Sequence, residues 1–221
     1  MCHSHSPDHK QQLARIIDDA VGEPLLRRAR ALLTTLGTEQ IGESYWKTFW
    51  LPRGTAPAHA LEDLVKALWS IAAPDEETIG AEWWIGRTHT TKIPIGFHFD
   101  QDVKAKRGFR HPKLSSVFFF NPVRGGQLAI TDQKPDARGN PRPAQPGDMV
   151  AVAPKRNRYT IFEGDLFHGV LDAKGLVPGK PLPGPPGRLR LTLVVNYWER
   201  RPTGVPTWSE SRAYPSLRRS K

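Results

Sequence analysis

The residues most able to do chemistry sit in the segment IPIGFHFDQDV, where His98 and Asp100 flank Phe99. On an extended strand, positions i and i+2 face the same side, so this imidazole and this carboxylate could reach one metal ion while Phe99 points away. Among the eight histidines His-x-Asp occurs only here, although the tripeptide alone is equally compatible with a surface pair. A second candidate is His168 in NRYTIFEGDLFHGV, 70 residues further on, a distance that lets several antiparallel strands return the chain beside its start. Taken alone, His168 could equally be a buried structural histidine. Together the three would form the two-histidine, one-carboxylate face suited to non-haem iron(II), which leaves positions open for other ligands.

A third element is RLRLTLVVNYW. Alternation along it puts Arg190, Thr192, Val194, Asn196 and Trp198 on one face and Leu189, Leu191, Leu193, Val195 and Tyr197 on the other. An arginine in so apolar a strand needs a carboxylate partner or a bound anion, because an isolated buried charge is too costly. Its planar fork matches a carboxylate through two parallel hydrogen bonds, and Thr192 offers a hydroxyl two residues on.

The elements that must carry these residues are mainly β. Residues 10–36 show helical spacing, with Pro24 restarting a helix and Gly37 ending it, and Leu61, Leu64, Val65, Leu68 and Trp69 form one stripe of a further helix from Ala58 to about Ala72. After Gly80 come seven short β-branched or aromatic runs separated by Pro, Gly, Asp and Asn, the pattern of an antiparallel sandwich or barrel. The expected organisation is a flexible His-rich stretch over 1–9, a helical region packing on the barrel over 10–79, a β domain over 80–200 and a basic tail over 201–221, draped on the body or disordered. A Pro- and Gly-rich loop, Lys174 to Gly187, interrupts the last part of the β domain.

Bulk properties bound the function. A chain of 221 residues supports one catalytic domain. A single cysteine forbids an internal disulfide or a cysteine metal cluster. No run is long and apolar enough for a bilayer, and the polar start MCHSHSPDHK lacks the apolar core of a secretory signal, so the expected location is cytoplasmic. The formal charge of +10 is dispersed, which suits a solvated basic surface or a dianionic co-substrate, with nucleic acid as the alternative partner.

In order along the chain, FHFD, RGGQL at 124–128, NRYTIFEGDLFHGV and RLRLTLVVNYW resemble the iron(II) and 2-oxoglutarate dependent dioxygenase superfamily, particularly its prolyl-hydroxylase-like branch. The resemblance spans residues 80–200. It implies a double-stranded β-helix, a jelly roll of cupin type, flanked by N-terminal helices. His98, Asp100 and His168 would be the iron ligands, and Arg190, assisted by Thr192, would hold the distal carboxylate of 2-oxoglutarate; Arg188 is the rival anchor. Dioxygen is the further co-substrate, succinate and carbon dioxide are released, and the expected outcome is hydroxylation of an amino acid, a peptidyl residue or a small natural product. Asp100 speaks against a halogenase, which needs a small residue there. Trp83, Trp84, Arg87 and Phe97 are candidate substrate contacts, with Asp102 and the loop Lys104 to Pro112 as a lid. The alternatives are a nucleic-acid demethylase of the same chemistry and a non-catalytic cupin-like binding protein.

Overall fold

The structure, a computed structural model, describes residues 13–43, 47–87, 96–172, 174–177, 190–211 and 213–214. The expectations for residues 1–9, for Arg188 and for most of the Pro- and Gly-rich loop lie outside them. In chain order the elements are β1 (Arg15–Ile17), α1 (Glu23–Glu43), β2 (Phe49–Pro52), α2 (Ala60–Ala72), β3 (Gly80–Arg87), β4 (Leu114–Phe119), β5 (Gln127–Thr131), β6 (Lys134–Pro135), β7 (Pro141–Arg142), β8 (Met149–Val152), β9 (Arg158–Glu163), β10 (His168–Leu171) and β11 (Leu191–Trp198).

Six strands form the major sheet in the order β1-β9-β4-β11-β3-β2, and three form the minor sheet, β10-β5-β8. All pairings within both sheets are antiparallel. Neighbours in the sheets come from distant parts of the chain, which makes the architecture a double-stranded β-helix, as the sequence resemblance implies.

The period of two along the central strands decides where each side chain goes. One face of the major sheet presents Trp83, Ile85, Phe118, Leu193, Val195 and Tyr197 to the helices, where they pack with Leu26, Leu33, Leu61, Leu64 and Leu68. The opposite face closes a second core between the sheets, with Val117 and Phe119 against Leu128, Ile130, Val152 and Phe162. Helix α2 carries its apolar stripe as expected, and His59 caps it, its Nδ1 accepting from the Glu62 amide at 3.4 Å.

One expectation about local structure is corrected. The segment expected to begin a helix at Lys10 instead supplies β1, paired with β9 in the register Arg15↔Ile161. After it, Asn157 takes over the backbone groups of Val21, accepting from its amide at 3.1 Å and donating to its carbonyl at 2.8 Å. Those tertiary bonds override local helical spacing. Gly37 does end a helix as expected: it takes a non-helical φ of 73°, and a second helical segment follows it within the span of α1. The described part of the segment after Arg200, residues 201–211 and 213–214, is draped over the body, with Trp208 and Tyr214 buried against Phe49 and the Trp50 amide bonded to the Pro206 carbonyl at 2.7 Å.

Candidate metal centre

His98 and His168 meet through an antiparallel bridge. The His98 amide donates to the His168 carbonyl at 2.8 Å and the His168 amide returns the bond at 3.0 Å, adding the FHFD segment to the edge of the minor sheet beside β10. Each imidazole is oriented by its own backbone: Nδ1 of His98 lies 3.0 Å from the Gly96 carbonyl, and Nδ1 of His168 lies 2.9 Å from the Leu166 carbonyl. A carbonyl can only accept, so Nδ1 carries the proton in both rings and both Nε2 lone pairs are free for a cation.

Those lone pairs converge on one carboxylate. Nε2 of His98 is 3.7 Å from Oδ1 of Asp100, and Nε2 of His168 is 3.6 Å from Oδ2. Ligand atoms of all three residues lie within 4.8 Å of one another. Ligands about 2.1 Å from one ion at right angles sit about 3 Å apart, so a small side-chain adjustment completes the set. Two nitrogens and one carboxylate oxygen on one side fit iron(II) with open positions opposite. The access is one-sided: the His98 side chain is 42% exposed, that of His168 only 7%.

Electrostatics suit the same purpose. Burial lowers the pKa of His168 and keeps its ring neutral. Burial also disfavours charge on His98, but the Asp100 carboxylate beside it outweighs that and raises its pKa. Burial alone would push Asp100 up, yet His168, His98 and the Ser115 hydroxyl hold it well below the usual carboxylate range. Ser115 on β4 donates to Oδ2 of Asp100 at 2.7 Å, and Nδ1 of His111 bonds the Asp100 carbonyl at 2.7 Å. Neither was anticipated from sequence; a serine at the head of the apolar run SSVFFF is the signal for the first.

Arg190 is buried immediately before β11. Its Nε donates to the Gly126 carbonyl at 2.7 Å, and its guanidinium lies 5.1 Å from the centre of the Phe119 ring. The glycine pair of RGGQL has a reason here: Gly126 has φ 68°, and a β-carbon on it would come within 2.7 Å of Arg190 Cδ. Thr192 is fully buried, and its hydroxyl donates to the Gly86 carbonyl at 3.3 Å.

The residues expected to touch substrate separate. Trp84 lines a cavity of about 850 Å³ that reaches His98 and Asp100. Trp83 is not in that wall: one position earlier on β3, it faces the helices, fully buried, 4.7 Å from Phe49 between ring centres. Phe97 packs against Phe167 at 5.5 Å, away from the cavity, while its neighbour Phe99 lines it. The Arg87 side chain lies outside the described residues. In the expected lid, Asp102 is a latch. It accepts from the Lys104 amide at 3.2 Å and from the amide and hydroxyl of Thr203 at 3.0 and 2.8 Å, tying the loop after the FHFD segment to the draped tail that forms the far wall.

No family model matches the sequence, and neither does any curated protein. Among solved structures, HygX from Streptomyces hygroscopicus with nickel and 2-oxoglutarate bound is similar over 90% of this chain and 86% of its own, at 11% identity and a TM-score of 0.52. The non-heme alpha ketoglutarate dependent epimerase SnoN from nogalamycin biosynthesis is similar over 89% and 84%, at 14% identity and 0.52. An oxidoreductase of the 2OG-Fe(II) oxygenase family from Burkholderia pseudomallei is similar over 88% of each chain, at 12% identity and 0.50. No described helix is long and apolar enough to cross a membrane. The fold of this chain is the double-stranded β-helix of the iron and 2-oxoglutarate oxygenases.

Proposed function

We propose that this protein is an iron(II)- and 2-oxoglutarate-dependent oxygenase that hydroxylates an amino acid, a peptidyl residue or a small natural product and releases succinate and carbon dioxide. The observation that carries the reading is the convergence of two Nε2 lone pairs and one buried carboxylate, with a buried arginine further along the same ladder. On β5 and β10, His168 pairs with Ile130 and Leu171 with Gln127, next to the Gly126 carbonyl that accepts from Arg190. Three residues of strand separate the two ends, about 10 Å. A five-carbon diacid chelating the metal through its keto-acid end would extend its other carboxylate over that span toward the guanidinium. When bound, iron(II) with 2-oxoglutarate supplies oxidative activation of dioxygen.

The chain's own contribution is to hold and orient. His98, Asp100 and His168 would take one side of the ion, and the two Nδ1–carbonyl bonds keep the rings from rotating. Arg190, fixed through Nε, would offer its terminal nitrogens as a carboxylate fork. The Thr192 hydroxyl is already donated to Gly86, so its support for that anion would be through packing.

Anaerobic addition of iron(II) and 2-oxoglutarate to the purified chain is expected to produce the weak visible charge-transfer band of the chelate, followed by succinate when oxygen enters. A folded protein that shows no band would exclude the reading. Arg190→Lys keeps the charge but loses the fork, and is expected to raise the half-saturating 2-oxoglutarate concentration roughly 10- to 100-fold. An unchanged requirement would mean that another residue is the anchor.

A further inference from the structure

The cavity beside the metal centre contains polar groups that the proposed chemistry does not use. Glu82 on β3 pairs in register with Asn196 on β11. By the constant register of β11 with β4, in which Val194 meets Val117 and Tyr197 meets Leu114, Ser115 falls opposite Asn196. Glu82, Asn196 and Ser115 therefore form one rung across three adjacent strands on the cavity face, spanning about 10 Å. Its far end is bonded to Asp100.

The rung presents hydrogen-bond acceptors. Asn196 is 2% exposed and lines the cavity; its Oδ1 has no hydrogen-bond partner, a costly condition for a buried amide oxygen, and a turn of the amide brings that oxygen to a ligand. Glu82 lines the same cavity. Among the described residues no lysine or arginine pairs with it, and the Thr48 hydroxyl and the Trp198 indole N–H are the donors within reach. Burial, reinforced by the nearby charges of Asp100 and Asp102, pushes its pKa up to about 7. The cations of the wall belong to the rim, with Lys47 over the Tyr214 ring at 5.3 Å and the exposed Lys104 beside Gly204. Trp84, two residues along β3 on the same face as Glu82, lines the cavity as well, and an indole can lie against a cation.

We propose that Glu82, Asn196 and Trp84 form the specificity subsite for the substrate, and that the substrate carries an organic cation with at least two N–H donors, a primary ammonium or a guanidinium, seated one rung from the metal. This deepens the oxygenase reading and rests on it for the identity of the site. A carboxylate and an amide carbonyl side by side can each accept one N–H from the same group, and a cation also lowers the cost of keeping Glu82 ionised among acidic neighbours. A neutral N–H donor could meet the acceptors but would leave the Glu82 charge uncompensated, and an anionic group would face repulsion.

The test compares matched probes on the full chain by calorimetry, with nickel(II) and 2-oxoglutarate present and again without them: L-arginine against L-citrulline, L-lysine against L-norleucine, and agmatine. At least one cationic member is expected to bind more than about tenfold more tightly than its neutral partner. Glu82→Gln should remove that preference, and Asn196→Ala should weaken the cation about tenfold. Equal or tighter binding of the neutral member in every pair, or no cation bound at all, would overturn the proposal, as would a preference that survives Glu82→Gln. Should the glutamine variant fail to fold, the wild-type pairs still decide. Loss of 2-oxoglutarate binding with an intact cation preference would instead count against the oxygenase reading.

Discussion

The two faces of the major sheet make opposite use of the same strands. On the helix face Trp83, Ile85, Leu193, Val195 and Tyr197 are at most 1% exposed and pack into one apolar core. One residue away on the same strands, Glu82, Trp84 and Asn196 line the cavity that reaches His98 and Asp100. Even adjacent serines divide this way: Ser115 donates to Asp100 at 2.7 Å, whereas Ser116 donates to the Val195 carbonyl at 2.6 Å and accepts from the Tyr159 hydroxyl at 3.0 Å. Stability and chemistry are thus separated by strand alternation, so neighbouring substitutions should produce different kinds of failure.

The largest effect expected on the cavity face comes from removing one of the proposed metal ligands. Asp100→Ala or His168→Ala should weaken iron(II) binding more than about 1,000-fold, over 4 kcal/mol, while the far-ultraviolet circular dichroism and the unfolding cooperativity are kept. Metal affinity is read by competition with a chromophoric chelator. Near-normal affinity in either variant would break the assignment of the centre. On the helix face the matching experiment is Trp83→Ala, expected to cost about 3–5 kcal/mol in denaturant unfolding through the cavity it leaves between Phe49 and the helices. Trp84→Ala should cost less than about 1 kcal/mol and act on substrate handling instead. Equal stability losses would show that the two faces are not divided as described.

His59 is the titratable ring of the helix face, its Nδ1 capping α2 and its ring 4.2 Å from Trp208 and 5.7 Å from Trp83. Burial lowers its pKa from 6.5 to about 4. Between those values the unfolded chain binds a proton that the folded chain refuses, so the contribution is complete above pH 6.5 and falls away as the pH descends to 4. It amounts to at most about 3 kcal/mol. His59→Asn keeps a capping acceptor and should flatten this part of the stability profile. A wild-type profile identical to that of the variant from pH 6.5 to 4 would mean that the ring is solvated.

How much of this was legible in the sequence follows from the range of each signal. His98 and Asp100 could be paired because i, i+2 geometry is local, and His168 and Arg190 because each sits in a motif whose order along the chain resembles a known set. The strand alternation of RLRLTLVVNYW was readable too, and it puts Asn196 on the face opposite Tyr197. What could not be read was which face meets the helices. EWW offers two adjacent tryptophans that must point oppositely, and with both faces buried neither composition nor period selects the one that lines the cavity. Glu82 was invisible for a related reason: a lone acidic residue on a strand looks like a solvent-facing one. The error at β1 is of another kind. LARII fits a helical stripe locally, and its true partner, β9, lies over 140 residues away, beyond any periodicity argument.

The smallest effects give the sharpest form of the comparison, because they separate two identical residues one position apart. Ser115→Ala removes the hydroxyl that fixes Oδ2 of Asp100. The carboxylate remains and the metal can still bind, but the free rotation restored to it should lower iron(II) affinity about tenfold, with a stability change under about 1 kcal/mol. Ser116→Ala strips a donor from the Val195 carbonyl and an acceptor from the Tyr159 hydroxyl, both buried; Tyr159 keeps its contact with the Tyr197 hydroxyl at 2.9 Å. That variant should lose about 1–2 kcal/mol of stability and leave metal affinity within about twofold. Both readings come from the same two measurements, chelator competition and urea unfolding. If Ser115→Ala lost stability and Ser116→Ala lost metal, the direction of β4 across the sheet would be reversed, and the rung from Glu82 through Asn196 to Asp100 would fall with it.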